Sequence, residues 1–210
     1  MRYETRRLLA ALTLALGTAG AGELMATEEP KYRVEADHGT FQLRLYDPVL
    51  VAETVVGDEF GPGGNEGFRR LAGYIFGGND GARKIAMTAP VAQTRGTGTK
   101  IPMTAPVSQE RRAEGWVVAF TMPAGSNLEA MPAPDDARVT LRRVGERRVA
   151  AVRFSGTWGV EKFDEKARTL LEELKARGLT PSGEPVYARY DPPWTPWFLR
   201  RNEVFVPVER

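Results

Sequence analysis

The chain carries one octapeptide twice, as KIAMTAPV at residues 84–91 and as KIPMTAPV at residues 100–107. Seven of the eight positions are identical. Threonine, valine and isoleucine favour extended backbone, while each proline limits which neighbouring strand can pair there. The segment between the copies, 92–99, contains two glycines and is typical of a turn. The repeat therefore predicts two strands, or one strand and its echo, with Met87 and Met103 at matched positions.

The first half of the chain predicts strands followed by a helix. Alternating or extended runs predict strands at 41–46, 49–56 and 116–122. Apolar residues recur at helical spacing over 68–76, with Asn65 as the expected N-cap and Gly77-Gly78 as the expected stop.

The second half repeats this order. Residues 138–144 and 148–154 alternate across Gly145-Glu146, which predicts a hairpin. A helix over 160–174 ends before Gly178, and strands are expected at 186–190 and 203–208. The predicted fold class is α+β, a duplicated ββαβ-type unit whose strands form one sheet or a distorted barrel with two helices packed on it.

Composition excludes several functions. The chain has 210 residues, a net charge of +2, no cysteine and one histidine, His38. Disulfides, thiolate catalysis, zinc-cysteine sites and iron–sulfur clusters are excluded by the missing cysteine, and a Ser-His-Asp triad has little material. Short arginine pairs are mixed with acids and form no basic stripe, so nucleic-acid binding is not expected.

The N-terminus is typical of an export signal. Arg2, Arg6 and Arg7 precede an apolar run, and small residues follow over 17–22. The uncharged run over 8–22 is short for a spanning helix. We predict a leader over 1–26, export to a bacterial periplasm and a single domain over 27–210. The alternatives are an uncleaved leader that tethers the protein to the membrane and an ordinary first helix.

Five further stretches occur in a characteristic order along the chain. They are FQLRLY at 41–46, FGGN at 76–79 leading into the octapeptide, FTMP at 120–123 with a following MPAP, VRFSG at 152–156, and YDPPWTPWFLRRNEV at 190–204. Together they resemble the SOUL family of haem-binding proteins, and the resemblance covers nearly all of the predicted mature chain. It implies a duplicated barrel-like fold, a relationship to bacterial drug-sensing effector domains, and non-covalent, non-enzymatic binding of haem or another tetrapyrrole.

The resemblance also implies that the first helix lines the ligand and that a basic residue meets the propionates. On this chain the candidate cofactor-binding residues are Phe68, Arg69, Leu71, Ala72, Ile75, Trp194 and Trp197, with Arg70 as a second basic candidate. A helix stripe of this kind also commonly packs into a core. The weak iron-ligand candidates are His38, Met87 and Met103, with Tyr74 and Tyr190 as possible phenolates.

Three other functions remain open from the sequence, and one of them is structural, with the proline-rich loops as protein-docking surfaces. A general binding module for amphipathic cations would need a carboxylate in the cleft, for which Glu161 and Glu203 are the candidates. A hydrolase or haem-modifying enzyme has little support, because the chain has no cysteine and no nucleophile elbow. Residues 200–203 are expected to form a network of charges and hydrogen bonds.

Overall fold

The structure of the protein is a computed structural model, which describes residues 28–57, 66–95, 115–192 and 194–209. The predicted leader, the cap residue Asn65 and the second octapeptide copy lie outside these ranges. The strands are β1 (Tyr32–Asp37), β2 (Gln42–Tyr46), β3 (Val49–Val56), β4 (Val91–Arg95), β5 (Trp116–Thr121), β6 (Thr140–Val144), β7 (Arg147–Phe154), β8 (Val186–Arg189) and β9 (Asn202–Pro207). The helices are α1 (Glu66–Ile75) and α2 (Val160–Ala176).

The described strands form one antiparallel sheet that confirms the duplication. Its order is β1-β2-β7-β9-β8-β4-β5-β3-β6. Each strand of the first half has a counterpart in the second: β2 corresponds to β6, β3 to β7, β4 to β8 and β5 to β9. Replacing every strand between β2 and β6 by its counterpart yields the same strand order, read from the opposite edge of the sheet. The two halves are therefore related by a pseudo-twofold axis between β4 and β8, and the α+β class predicted from the sequence is confirmed.

The expected hairpin across Gly145-Glu146 is wrong. β6 pairs with β3, and β7 pairs with β2. Tyr46 lies opposite Arg147 and Val49 lies opposite Val144, so the register continues without a shift across both short breaks. β2 and β3 are thus one long strand bent at Asp47-Pro48, and β6 and β7 are one long strand bent at Gly145-Glu146.

This continuity requires the sheet to curl. β2 and β3 are six places apart in the sheet order, which in a flat sheet would separate them by about 29 Å at about 4.8 Å per strand. The two residues that join them span at most about 11 Å. The sheet therefore bends into a half-barrel, which agrees with the predicted alternative of one sheet or a distorted barrel.

The two helices cover one face of the sheet. Leu71, Tyr74 and Ile75 of α1 pack over β3 and β5, and the apolar stripe of α2 packs over β7 and β9. The main core joins both helices and both halves of the sheet. After α2, Gly178 takes a φ of +68°, a conformation that glycine adopts without strain and that ends the helix as predicted. None of the described helices is both long enough and apolar enough to span a bilayer.

The first octapeptide copy is not a strand, contrary to the prediction. Residues 84–90 are irregular, and β4 begins only at Val91, so the expected turn over 92–99 is strand in its first four residues. The Thr88 hydroxyl donates to the carbonyl of Thr121, and Pro90 has no N–H to give to a ladder. The octapeptide is therefore the lead-in that docks on the end of β5 before pairing starts.

Candidate functional site

The apolar stripe of helix α1 lies mainly in the core. Leu71 and Ile75 are 0% and 1% exposed. Phe68 is half-buried, with its ring edge-on to Phe120 at 5.3 Å between centroids, and Ala72 is half-buried. The side chains of Leu71 and Ile75 therefore support the helix from beneath, and a ligand on its outer side meets the edge formed by Phe68 and Ala72.

The two neighbouring arginines of α1 have different surroundings. The guanidinium of Arg70 donates to the hydroxyl of Thr54 at 3.2 Å and to the carbonyl of Val55 at 2.9 Å, and it pairs with Glu66. Arg70 therefore fastens the helix to β3. Arg69 is exposed, so it is the α1 cation that a ligand carboxylate can reach.

The connection between β8 and β9 presents a cluster of large apolar side chains. Within residues 194–199, here called the Trp segment, Trp194 is 82% exposed, Trp197 60%, Phe198 58% and Leu199 64%. A 3-10 turn covers Trp197–Leu199. The guanidinium of Arg200 donates to the carbonyl of Thr195 at 2.7 Å and lies 4.2 Å from the ring of Trp158. The Trp segment is thus held by fixed contacts at its base while its apolar side chains face outward.

A buried charge network lies on the sheet face opposite the helices. Glu203 is fully buried and accepts hydrogen bonds from Arg44 at 2.8 Å and from the hydroxyl of Tyr190 at 2.9 Å. Its other oxygen accepts from Arg201 at 3.0 Å. The network expected for residues 200–203 is confirmed. Its partner Arg44 was missed, because it lies 159 positions from Glu203 and only pairing across the sheet brings them together.

This network does not provide a site for a cationic ligand. Glu203 is neutralised by two guanidinium groups, and Arg201 is shared with Glu29 at 2.9 Å. The second candidate carboxylate, Glu161, is exposed in the first turn of α2. Of the two carboxylates that could bind a cation, Glu203 is therefore already paired with arginines, and Glu161 lies on an open surface and not in a cleft.

The two candidate iron ligands that the structure describes, His38 and Met87, lie on different connections of the sheet. His38 is exposed in the β1–β2 turn, with its ring 4.6 Å from that of Phe41. Met87 is exposed in the lead-in to β4, and Met103 lies outside the described residues. Within the described ranges, no three His, Asp or Glu side chains come together as a metal site.

The two tyrosines are poor sources of phenolate. The hydroxyl of Tyr74 donates to the carbonyl of Pro132 at 3.1 Å, and that of Tyr190 donates to Glu203. Burial raises the pKa of both hydroxyls, and for Tyr190 the charge of Glu203 adds to the effect. Both side chains are thus held as neutral donors inside the fold.

A cavity of about 480 Å³ lies where the two bent strands meet. Its walls come from the bends at Asp47-Pro48 and Gly145, the end of β5 with the loop 122–126, Thr88, and residues 28–31. This volume is within the range of small-molecule sites, about 300–1,000 Å³. This cavity could not be predicted from the sequence, because it depends on the two bends lying side by side.

The duplicated, curled sheet with two helices on one face defines the α+β half-barrel class of folds. A family model described as SOUL heme-binding protein matches residues 27–207. The chain belongs to the SOUL haem-binding family, as its motifs predicted.

Individual relatives agree with this assignment. Heme-binding protein 2 of Mus musculus is 26% identical over 201 residues, which cover 90% of this chain and 93% of that protein. The C-terminal domain of EcmrR has a TM-score of 0.54 at 12% identity and covers 85% of this chain and 98% of that one. A structure described as a hydrolase from Listeria innocua has a TM-score of 0.55 at 12% identity, over 81% and 92% of the two chains. The two structural likenesses concern the fold alone.

Proposed function

We propose that this protein binds haem or another tetrapyrrole without covalent attachment and without catalysing a reaction, as a buffer or carrier. The observation that carries the proposal is the match to the haem-binding family over residues 27–207, nearly the whole described chain. The relative from Mus musculus is named for haem binding as well. The buried, doubly paired state of Glu203 argues against the alternative of an amphipathic cation.

The residues fit a porphyrin plate better than they fit axial coordination of its iron. Haem iron takes His, Cys, Met or Tyr ligands. On the described chain the tyrosines near the candidate site donate to other groups, and His38 lies in a separate turn. A porphyrin is a large apolar plate, and burial at about 25 cal/mol/Å² is enough for micromolar binding without an iron bond.

The surfaces we propose for the ligand are the outer edge of α1 and the two tryptophan rings of the Trp segment. Trp194 and Trp197 offer exposed flat rings, and Phe68 and Ala72 offer an apolar edge supported from beneath by the buried Leu71 and Ile75. Arg69 would meet a propionate, since a guanidinium binds carboxylates in a bidentate manner.

Titration of the full chain with hemin tests the proposal. We expect a shifted Soret band and quenching of tryptophan fluorescence at micromolar ligand. W194A/W197A should weaken hemin binding about tenfold or more, which is the loss of affinity typical when a central aromatic side chain is truncated. R69A should weaken binding less. Iron-free protoporphyrin should bind about as well as hemin. An unchanged Soret band with unquenched fluorescence in the wild-type protein would exclude the function.

The cavity between the bent strands supplies the matched control. Ala124 lies on its wall and is exposed, so A124F narrows the cavity without touching α1 or the Trp segment. We expect A124F to bind hemin like the wild type. If A124F loses binding while W194A/W197A keeps it, tetrapyrrole binding stands and its site moves to the cavity.

We also propose that the protein works after export, in the periplasm. The support is the order of charged, apolar and small residues over 2–22. N-terminal sequencing of the protein from its native host should show a start near residue 27. An intact Met1 on protein recovered from the cytoplasm would contradict export.

A further inference from the structure

The Trp segment exposes two large apolar side chains besides the two tryptophans that we propose for haem binding. Phe198 and Leu199 are exposed beside Trp197, on the same 3-10 turn. Contiguous exposed apolar groups of this size usually mark an interaction surface. Because Arg200 ties the base of the segment to Thr195 and Trp158, the exposure is a built feature of the turn.

The lead-in to β4 reaches the same end of the sheet. The Trp segment leaves β8 after Arg189 and enters β9 at Asn202, and Arg189 also lies opposite Val91, the first residue of β4. The exposed Met87 comes just before this point. We call this end, with Met87 and the Trp segment, the apolar end of the sheet.

The N-terminal region of the chain arrives at the same place. The main chain of Glu28 accepts a hydrogen bond from the N–H of Ala89 at 2.9 Å, and the carboxylate of Glu29 pairs with Arg201 at 2.9 Å. Twenty-seven residues precede Glu28, and they include the apolar run that follows Arg6 and Arg7. A retained leader would therefore attach to the domain at its apolar end.

The geometry points to docking of the apolar end on a lipid bilayer. Tryptophan concentrates at the membrane–water boundary, where its ring suits both the apolar and the polar side, and phenylalanine and leucine supply the inserted surface of interfacial elements. The two cations that follow the segment are engaged inside the protein, Arg200 on Thr195 and Trp158, and Arg201 on Glu29 and Glu203. Docking should therefore depend on apolar insertion and only weakly on anionic lipid or salt.

Depth-dependent quenching tests this with the full chain. The protein is mixed with phosphatidylcholine vesicles that carry bromine on the acyl chains, and its tryptophan fluorescence is measured at low and high salt. Trp116 and Trp158 are buried in the fold, so quenching reports mainly on Trp194 and Trp197. We expect strong quenching at both salt concentrations, and loss of the quenched component in W194F/W197F.

The informative variant is F198S/L199S, which leaves both tryptophans in place as fluorescent reporters. We expect it to lose most of the quenching by brominated lipid. The variant and the wild type have the same N-terminal region, so a difference in quenching between them reports on Phe198 and Leu199 and not on a retained leader.

Two results would overturn the proposal. One is wild-type protein that binds vesicles without quenching of its tryptophans. The other is wild-type protein that forms a dimer in analytical ultracentrifugation without lipid, with F198S/L199S a monomer, which would assign the surface to a second copy of the chain. A failed hemin titration with intact quenching would remove the proposed function and leave the docking.

Discussion

Helix α1 contains two glycines whose replacement by alanine should have opposite effects on stability. Gly67 is buried against the sheet, and a Cβ built there would lie 2.6 Å from Cγ2 of Val118 and 3.1 Å from Cγ1 of Val56. Gly73 lies six positions later in the same helix, and a Cβ there would meet nothing within 4 Å. The two substitutions add the same methyl group to the same helix, so their difference isolates the packing of α1 on β3 and β5.

The size of the effect follows from the contact distances. Carbon atoms pack best at about 3.5–4.0 Å, so the new methyl of G67A would be about 1 Å too close to Val118. Val118 is fully buried on β5 and has no room to retreat. Overpacking of this kind costs about 1–3 kcal/mol, from which the better helix propensity of alanine removes about 0.5–1 kcal/mol. We expect G67A to lose about 1–2 kcal/mol and G73A to gain about 0.5–1 kcal/mol.

Thermal and urea unfolding of the two variants measures this difference. For a domain of this size the melting temperature shifts by about 2–4 °C per kcal/mol, so G67A should melt below the wild type and G73A above it. In a V118A background, where the closest methyl group is absent, G67A should cost clearly less. A shift of both single variants in the same direction, or an unchanged cost of G67A beside V118A, would refute the reasoning.

Two further predictions concern the buried network and its tyrosines. E203Q should destabilise the protein by about 3–5 kcal/mol, because removing one partner of a buried ion pair leaves the other uncompensated. E129Q breaks an exposed pair with Arg143 and should leave the urea midpoint of unfolding unchanged. Equal midpoints for the two variants would contradict the first expectation. Burial raises the pKa of three tyrosines, so they should stay protonated when exposed tyrosines ionise near pH 10, and stability should fall as the pH rises above about 10, because only the unfolded chain then releases their protons. The three are Tyr46, Tyr74 and Tyr190. Absorbance at alkaline pH should show them ionising only when the protein unfolds. A single transition of all tyrosines before unfolding would contradict this.

The sequence was sufficient to identify most of the elements, although it missed β1 and the true position of β4, and it was insufficient to establish how they pair. The run 49–56 was predicted with its observed bounds, because an extended stretch rich in valine is a local signal. The link Gly145-Glu146 gave the wrong answer, since two alternating strands around a short glycine link look the same whether the chain reverses or continues through a bend. Only the partner strand β3 distinguishes the two cases, and it lies in the other half of the chain.

The candidate site shows the same boundary between local and long-range information. Helical spacing correctly placed Leu71 and Ile75 on one face of α1, but spacing does not say whether that face meets a ligand or the sheet. The exposure of the Trp segment and the burial of Arg44 against Glu203 depend on contacts between distant residues. The sequence identified Trp194 and Trp197 as candidate binding residues, whereas their exposure required the fold.

The two bent strands have a consequence for how the chain is made. The ribbon of β2 and β3 with β6 and β7 joins residues that lie about a hundred positions apart, and closing such long loops slows folding. During synthesis the first half emerges with β2 and β3 lacking the strands that complete their pairing. The ribosome must therefore synthesise β6 and β7 before β2 and β3 can complete their strand pairing, so the first half of the sheet stays incomplete until the second half has begun to emerge.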